Sequence, residues 1–425
     1  MLPVIRDQGM ESVLREVVET LAPLDRTPCS PGERQAAEWL AARLGAIDGV
    51  QVALEDEPSW GTFPPTATAV GLLGIGGALL SLRGRRAAAA LLAGLCAGGL
   101  IDEAQNGPRL LRRLIRRRRS TVNVIARAGD AEAIETLVVI AHHDAPQTGI
   151  LFDQTMLRRA WERNPERLAR AKRSLPQWWI GLAAPLGALA TVISRRRAPA
   201  RAGLVLGTLG TALVADVWRN ATVPGANDNL SGVAALVALA EMLETDAPAG
   251  LRVLLVSCGA EETLQDGIRA FVATHGGRLA PEHTTFLNLD TIGSPHLIML
   301  EGEGPIWMER YAGPWLRDLV ADTAERLEIP LERGFLARSS TDSVIPSRAG
   351  YPTATLVSIT DWRSPANYHL PTDVPENLDY GTVADATRLV HEVLRALAVR
   401  AGGESHPAAA GAGPESAGPE SGAAL

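Results

Sequence analysis

The alternation of hydrophobic and polar positions predicts a chain of strands and helices. Short continuous apolar runs predict buried strands, and apolar residues three and four positions apart predict helices. Predicted strands cover residues 50–54, 121–126, 136–141, 251–256, 285–289, 297–300 and 354–357. Predicted helices cover residues 31–44, 230–243, 267–273, 315–327 and 380–399. Strands separated by helices indicate an α/β fold with a mixed central sheet and helices on both faces.

Two pairs of long uncharged segments interrupt this alternation. Residues 58–82 and 87–101 form the first pair, and residues 174–194 and 202–215 form the second, with arginines between the members of each pair. Each pair predicts an inserted hydrophobic α-helical hairpin. The first run of each pair is long enough to span about 30 Å of hydrocarbon, whereas the second, at roughly 15 residues, is short for it.

The four apolar runs favour a membrane over the alternative of buried Ala/Gly-rich helices in a soluble insertion. Trp60, Trp178, Trp179 and Trp218 lie near the ends of the runs, where interfacial aromatic side chains are common. Glycines within the runs would let helices approach closely in lipid. Membrane lipid is therefore an expected partner.

The hairpins divide the chain into a discontinuous body and two insertions. The body comprises residues 1–57, 102–173 and 219–400, and the hairpins comprise residues 58–101 and 174–218. Residues 401–425 are low in complexity, so we expect a disordered tail.

The arginine distribution predicts an orientation for the membrane insertion. The N-terminus has no apolar run of signal-peptide length. More basic residues lie on the body side of the hairpins than at their tips, so the positive-inside rule places the body in the cytoplasm, although the tip arginines oppose this. The run RRLIRRRRS at residues 112–120 could touch nucleic acid or form a solvated face, but next to apolar spans it is expected to meet anionic lipid headgroups.

Composition excludes some classes of protein. The net charge of −7 among 425 residues argues against a protein that coats nucleic acid. Cys29, Cys96 and Cys258 are few and far apart, so neither a disulfide framework nor a cysteine-based zinc site is indicated.

Acidic residues and histidines follow predicted strands or precede predicted helices, where α/β sheets bind ligands. Singly, each has an ordinary explanation as a surface histidine, a helix cap or a turn residue. Together they form a nitrogen and oxygen ligand set that suits zinc, manganese or cobalt, with a spare carboxylate to act as a base. These residues are His142, Asp144, Asp228, Glu261, Glu262, Asp290 and His369.

The motifs, in this order, resemble the dizinc aminopeptidase family of metallopeptidases, whose relatives include glutamate carboxypeptidases, glutaminyl cyclases and the transferrin receptor. The resemblance runs from SPGERQAAEWLAARL to YHLPTDVPENLDY and omits the hairpins and the tail. It implies a mixed sheet of roughly eight strands with metals at the strand ends. It also implies two zinc ions, with other divalent metals possible, and a peptide substrate.

The resemblance assigns a role to each residue of the site. His142 and Asp290 would hold one zinc, Glu262 and His369 the other, and Asp228 would bridge both. Asp144 would orient His142, and Glu261 would be the general base. The peptide after Asp228 is cis in the family. His143 remains an alternative to His142, and Asp342 is expected near the site. Leu264 stands where the family commonly has glycine, which puts the local turn in doubt.

These features predict a membrane-associated, zinc-dependent exopeptidase, and an aminopeptidase in the first place. Three alternatives stay open: a single-zinc acyltransferase like the glutaminyl cyclases, a catalytically silent binding module on the same fold, and a membrane-structural protein with an incidental hydrolase-like body. The direction of attack, the preferred side chain and the oligomeric state have no signal in the sequence.

Overall fold

The structure is a computed structural model that describes residues 2–403. Most of the predicted tail, residues 404–425, lies outside the described residues. Within residues 2–403, nine strands form one mixed sheet. They are β1 (Gln51–Ser59), β2 (Arg119–Gly129), β3 (Thr136–His142), β4 (Arg252–Cys258), β5 (Thr284–Leu289), β6 (His296–Glu303), β7 (Glu309–Arg310), β8 (Glu332–Ala337) and β9 (Thr353–Ile359).

The sheet is parallel at its centre and antiparallel towards its edges. The order is β1-β2-β4-β3-β5-β9-β6-β7, and β8 pairs with β6. Strands β4, β3, β5 and β9 run parallel to one another. Strands β1, β2, β6 and β7 join through antiparallel pairs. The carboxyl ends of the parallel strands therefore meet at one edge, as the α/β prediction requires.

Helices cover both faces of the sheet, and this confirms the predicted fold class. The body helices are α1 (Leu2–Leu21), α2 (Pro31–Gly45), α5 (Leu110–Ile115), α6 (Thr155–Arg163), α7 (Pro165–Ala169), α10 (Ser231–Thr245), α11 (Asp266–His275), α12 (Pro314–Arg326), α13 (Val344–Arg348) and α14 (Tyr380–Gly403). Strand β3 is buried on both sides: Val139 belongs to the apolar cluster that contains residues of α1, α2, α10, α12 and α14, and Ile140 belongs to the cluster that contains residues of α11 and α13.

The inserted segments form four helices that pack together as one bundle. They are α3 (Pro64–Leu82), α4 (Arg86–Ala104), α8 (Ala183–Ser194) and α9 (Ala198–Arg219), with a 3₁₀ turn at Gln177–Leu182 leading into α8. Close approach depends on glycine: a Cβ on Gly187 would lie 2.4 Å from Pro199 O, and one on Gly71 would lie 2.4 Å from Thr211 Oγ1. We refer to these four helices and the 3₁₀ turn as the bundle.

The bundle is long and apolar enough to cross a membrane, and its helix lengths differ from those predicted. Among the described residues, four spans qualify by length and composition, counting the 3₁₀ turn with α8. Helices α3 and α4 both have 19 residues, and α9 has 22 against 12 in α8, so the second member of neither hairpin is the shorter. The uncharged runs underestimate these helices because charged residues such as Glu103 and Asp216 lie inside their last turns.

One buried ion pair joins the bundle to the body, and a second lies beside it within the body. Glu103 at the end of α4 pairs with Arg112, which also donates to the carbonyl of Thr263. Arg109 pairs with Asp266 at the start of α11. Because Arg112 is buried in its pair, it cannot meet lipid headgroups, contrary to the interpretation of the whole run at 112–120, and Arg109 is buried as well.

We expect that replacing only one partner of the Glu103–Arg112 pair lowers the free energy of unfolding more than replacing both. Arg112→Met should lower the free energy of unfolding by about 3–5 kcal/mol, because it leaves a buried carboxylate without its partner. The double variant Glu103→Leu/Arg112→Met should be less destabilised than the single variant, since it buries no unpaired charge. Denaturant unfolding of the full chain in detergent measures both.

Arg117→Met is the matched control for this experiment, because Arg117 is exposed. We expect it to change the unfolding free energy by at most about 0.5 kcal/mol. A double variant no more stable than Arg112→Met would contradict the charge explanation.

Candidate metal centre

The carboxyl ends of the central strands bring four of the predicted site residues together. His142 is the last residue of β3, and Asp290 directly follows β5. Glu261 and Glu262 lie in a short turn just after β4. Because these strands are parallel neighbours, side chains at their ends converge on one edge of the sheet.

Asp228 and His369 reach the same edge from loops. Asp228 precedes α10 in an irregular turn whose backbone is fixed by Asp373, since Asn227 N and Asp228 N donate to its two carboxylate oxygens at 2.8 and 3.1 Å. The Asp228–Asn229 peptide is cis, as the resemblance implies. His369 lies in the loop between β9 and α14, and its ring stacks on Phe152 with centroids 4.1 Å apart.

Asp228 lies between the two histidines. Its Oδ1 is 3.3 Å from His142 Nε2, and its Oδ2 is 3.2 Å from His369 Nε2. His369 Nε2 is also 3.5 Å from Glu262 Oε1. One carboxylate therefore faces a separate imidazole with each of its oxygens.

The described residues form three groups with ligand atoms within 4.8 Å of one another. Two of them share Asp228, and the third joins His142 to the glutamates of the turn after β4. The groups are His142, Asp228 and Asp290; Asp228, Glu262 and His369; and His142, Glu261 and Glu262. The structure thus brings every predicted ligand into one cluster, and whether each binds metal stays a prediction.

The chemistry of this cluster fits a bound cation. His369 is buried, yet neither of its ring nitrogens makes a hydrogen bond, and His142 Nδ1 also lacks one. Imidazole nitrogens that face carboxylate oxygens without bonding them are typical of metal ligands. Five carboxylates, those of Asp144, Asp228, Glu261, Glu262 and Asp290, crowd against these two rings, so the buried negative charge exceeds what two histidines can neutralise.

The pKa values follow from this crowding. Burial raises the pKa of Glu262 well above its ordinary value, and the neighbouring Asp228 and Glu261 add to the shift. Burial also raises the pKa of Asp290, to about 6. For Asp228, burial acts in the same direction, but His142 and His369 outweigh it and hold the pKa below its ordinary value. A divalent cation would stabilise all three as carboxylates.

Asp144 connects the histidine strand to the acidic turn. Its two oxygens accept hydrogen bonds from the backbone N–H groups of Glu261 and Glu262 at 3.0 and 2.9 Å. Its Oδ1 lies 3.4 Å from His142 Nδ1. Asp144 is therefore placed to hold both the ring and the turn, as an orienting residue must.

Two further residues were expected at or near the site, His143 as the alternative to His142 and Asp342 as a neighbour. The His143 ring lies apart from the ligand groups, with Nδ1 2.9 Å from Ser257 Oγ, and burial lowers its pKa to about 4. Asp342 is buried, and neither of its oxygens makes a hydrogen bond. Burial and the nearby Asp144 and Asp290 raise its pKa to about 8. His142 is thus the histidine that faces the acids.

Sequence reasoning missed Gln265. Its side-chain amide donates to Glu261 Oε1 at 2.5 Å and to the Ser340 carbonyl at 3.0 Å, and it is buried. Leu264 and Gln265 both have positive φ, 70° and 67°, so the turn keeps a left-handed conformation without the glycine expected there. The only sign in the sequence that this turn differs from that of the family is Leu264, which stands where the family commonly has glycine.

Two cavities adjoin the acids. A cleft of about 260 Å³ lies on one side, lined by Asp290, Arg338 and Trp362 among others. A smaller cavity of about 120 Å³ lies against the bundle. Both are bounded by Glu261 and Glu262, so the acidic turn lies where the two cavities meet.

With this geometry established, comparison with known proteins identifies the domain. Residues 211–394 match the model of peptidase family M28. The chain carries a peptidase M28 domain. Because M28 enzymes are zinc-dependent hydrolases, the protein is a metallopeptidase, and zinc is its cofactor. The match contains Asp228, the glutamate pair, Asp290 and His369.

Solved structures show that the fold extends over nearly the whole chain. A Zn-dependent exopeptidase from Parabacteroides distasonis is 15% identical with a TM-score of 0.51, and the alignment covers 91% of this chain and 97% of the other. An aminopeptidase from Aneurinibacillus sp. is 14% identical with a TM-score of 0.51, covering 90% and 93%.

A glutaminyl cyclase from Bacteroides thetaiotaomicron is equally similar, at 14% identity and a TM-score of 0.51, covering 91% and 97%. No curated protein sequence matches the chain. Since the neighbours of this M28 domain include both peptidases and a cyclase, the fold alone does not separate the two reactions.

We expect Gln265 to position Glu261. Gln265→Leu should lower kcat by about 10-fold or more, because the carboxylate loses its buried donor, while KM and zinc content stay nearly unchanged. Ser340→Ala is the control, since it removes a donor to Gln265 Oε1 and leaves the bond to Glu261 in place. It should change kcat by less than about threefold. Loss of zinc in Gln265→Leu, or a rise in KM with kcat unchanged, would contradict this role.

Proposed function

We propose that the protein is a membrane-associated aminopeptidase that uses two zinc ions. The observation that carries the proposal is the position of Asp228, whose two oxygens face His142 and His369 at 3.3 and 3.2 Å. A single carboxylate between two histidines suits a pair of metals that share one ligand.

The ligands divide into two sets around the shared carboxylate. His142 and Asp290 would hold one zinc, and Glu262 and His369 the other, with Asp228 common to both. Other divalent metals that accept nitrogen and oxygen ligands could occupy the same sets. When bound, the two ions would lower the pKa of a shared water and polarise the scissile carbonyl.

Glu261 is the group we propose as general base. It lies in the wall of both cavities and is not needed in either of the two ligand sets. It would accept a proton from the attacking water and later give that proton to the departing amine, as the carbon–nitrogen bond breaks and the new carbon–oxygen bond remains. Gln265 would keep one of its oxygens fixed during both transfers.

The excess of acidic groups favours a substrate with a free N-terminal amine. The carboxylates of Asp228, Glu261, Glu262 and Asp290 line the larger cleft, and a protonated amine is attracted to such a site before it binds. This supports aminopeptidase action. A single-zinc cyclase would leave one of the two ligand sets without a function, so the complete second set weighs against that alternative.

The surface of the bundle supports membrane association. Leu72, Leu91, Ile193 and Val205 are exposed on its outside, at fractions from 58% to 82%. An apolar patch of this kind on a protein surface marks contact with lipid or another apolar partner. We propose that membrane lipid covers these side chains.

We place the body in the cytoplasm. Arg113 and Arg117–Arg119 remain exposed on the body side together with the basic residues of α6 and α7. This basic surface is larger than that of the hairpin tips, which favours the cytoplasmic side. The buried pairs of Arg109 and Arg112 do not contribute to it.

The proposal predicts metal content and activity separately. Purified protein should hold about two zinc ions per chain by elemental analysis and should hydrolyse aminoacyl amides but not their N-acetylated forms. Glu261→Ala should keep its zinc and lose kcat by a factor of about 10² to 10⁴, the usual contribution of a general base. His142→Ala should lose zinc as well as activity.

His143→Asn is the matched control, because its ring faces Ser257 rather than the acids. It should retain the metal. One zinc per chain with cyclisation of N-terminal glutamine would instead support the cyclase alternative, and metal-free protein without hydrolysis would support a silent binding module.

Membrane association has a separate test. The full chain should sediment with membranes, resist release by high salt and alkaline carbonate, and dissolve only in detergent. Leu91→Lys/Val205→Lys should increase the fraction released by carbonate, because charge on a lipid-facing surface is unfavourable. Leu114→Lys, at an exposed site on the body, is the control and should behave as the parent. Release of the parent by carbonate would contradict membrane insertion.

A further inference from the structure

The cavity of about 120 Å³ has walls from two different parts of the chain. Ala67 and Gly71 of α3 and Thr211 and Val214 of α9 line it from the bundle, and Glu262 and His369 line it from the metal centre. Helix α3 and most of α9 lie outside the segment that matches the peptidase M28 model, which begins at Thr211. The inserted helices therefore build part of the active site as well as an apolar surface.

The packing of the bundle shapes this cavity. Helices α3 and α9 approach so closely that a Cβ on Gly71 would meet Thr211 Oγ1 at 2.4 Å. Phe63 and Trp178 pack together at its side with ring centroids 5.4 Å apart. Since both helices are fixed by direct contact, the cavity is a stable part of the structure.

The lining determines what could fill the cavity. Its walls are mostly apolar, and the ionisable groups lie at the end that adjoins Glu261, Glu262 and His369. A charged group in its interior would lose hydration without a partner. An engineered cavity of about 150 Å³ holds a benzene ring, so this one has room for a single side chain of the size of leucine or phenylalanine.

The position of the acids indicates which residue of a peptide would place its side chain in this cavity. The cleft of about 260 Å³ and the smaller cavity both reach Glu261 and Glu262. A peptide with its scissile bond at these acids would extend into both. The smaller cavity has room for one residue, and the larger cleft for the rest of the chain, so the terminal residue belongs on the bundle side.

We propose that the bundle supplies the side-chain subsite of the enzyme, and that this subsite selects peptides whose N-terminal residue is large and apolar. The inference rests on the proposed aminopeptidase function. It makes residues of α3 and α9 determinants of specificity, although they lie in helices outside the body.

Filling the cavity tests the subsite. Ala67→Leu and Val214→Phe each add bulk from a different helix, so one remains informative if the other disturbs the bundle. The parent should prefer leucine and phenylalanine amides over alanine amide by 10-fold or more in kcat/KM. Each filled variant should lose at least 10-fold in kcat/KM for the large substrates and less than threefold for alanine amide, a range expected for one to several methylene groups.

Ala212→Leu is the matched control. Ala212 follows Thr211 on α9 but is exposed on the outside of the bundle, so the same kind of substitution there adds no bulk to the cavity. The preference of this variant should equal that of the parent. An equal loss in Ala212→Leu would mean that any added bulk in α9 disturbs the site, and would overturn the proposal.

A binding measurement separates this inference from the proposed function. Leucinol and alaninol carry the amine and the side chain but no scissile bond. Calorimetry on the zinc-loaded full chain in detergent should give a Kd at least 10-fold lower for leucinol, and the two values should come within threefold of each other in Ala67→Leu and Val214→Phe.

These experiments distinguish failure of the proposed subsite from failure of the proposed aminopeptidase function. Hydrolysis without a side-chain preference, or a preference that both filled variants retain, would overturn the subsite and leave the aminopeptidase function standing. Selective leucinol binding that the filled variants lose, in a protein that hydrolyses no amide, would support the subsite and overturn the function.

Discussion

The repulsion among buried carboxylates at the end of the central strands is the constraint on which the site depends. Hydrogen bonds from neighbouring groups hold several of these acids in place. Asp144 accepts two backbone N–H groups of the acidic turn, and Gln265 donates to Glu261. The backbone at Asp228 is fixed by a further carboxylate, Asp373. Such an arrangement is costly in an empty protein and favourable around cations, because a buried charge needs a partner of opposite sign. The fold therefore positions its acids for metal.

The central sheet and the ligand cluster were predictable because their signals are local. Val138 to Ile140 lie in a strand buried on both faces, which reads as a continuous apolar run. The site acids follow such strands directly. Edge elements gave no comparable signal: β8, with Glu332 and Arg333, is polar at its start, and β7 has two residues. Helix α1 was not among the predicted helices, although its buried residues Leu14, Val17, Val18 and Leu21 recur at helical spacing. Gln265 could not be found without coordinates, since its contact with Glu261 depends on the left-handed turn between them.

The sequence also predicted two separate hairpins, whereas the structure has one bundle. Their association depends on close contacts of glycines, such as Gly71 against Thr211 and Gly74 against Pro185. Contacts of this kind join segments more than 100 positions apart, so no local pattern reveals them. The same is true of the bond from Arg112, the partner of Glu103 in a buried pair, to the Thr263 carbonyl. Through this pair the end of α4 is tied to the turn that carries Glu261 and Glu262, and a displacement of the bundle would be felt at the acids.

In the proposed membrane-bound state, the union of bundle and metal centre would give the membrane a role in the reaction itself. Trp179 and Trp218 are half-exposed at the body end of the bundle, at 49% and 50%, where the amphipathic indole ring suits the boundary between lipid and water. The apolar cavity lies at this same end, between α3, α9 and the acids. In the proposed arrangement the terminal residue of a substrate therefore enters near the membrane surface, and the rest of the peptide occupies the cleft on the other side of the acids. Large apolar residues concentrate at such a boundary, so the side chain that the cavity fits is also the one that the membrane brings to it.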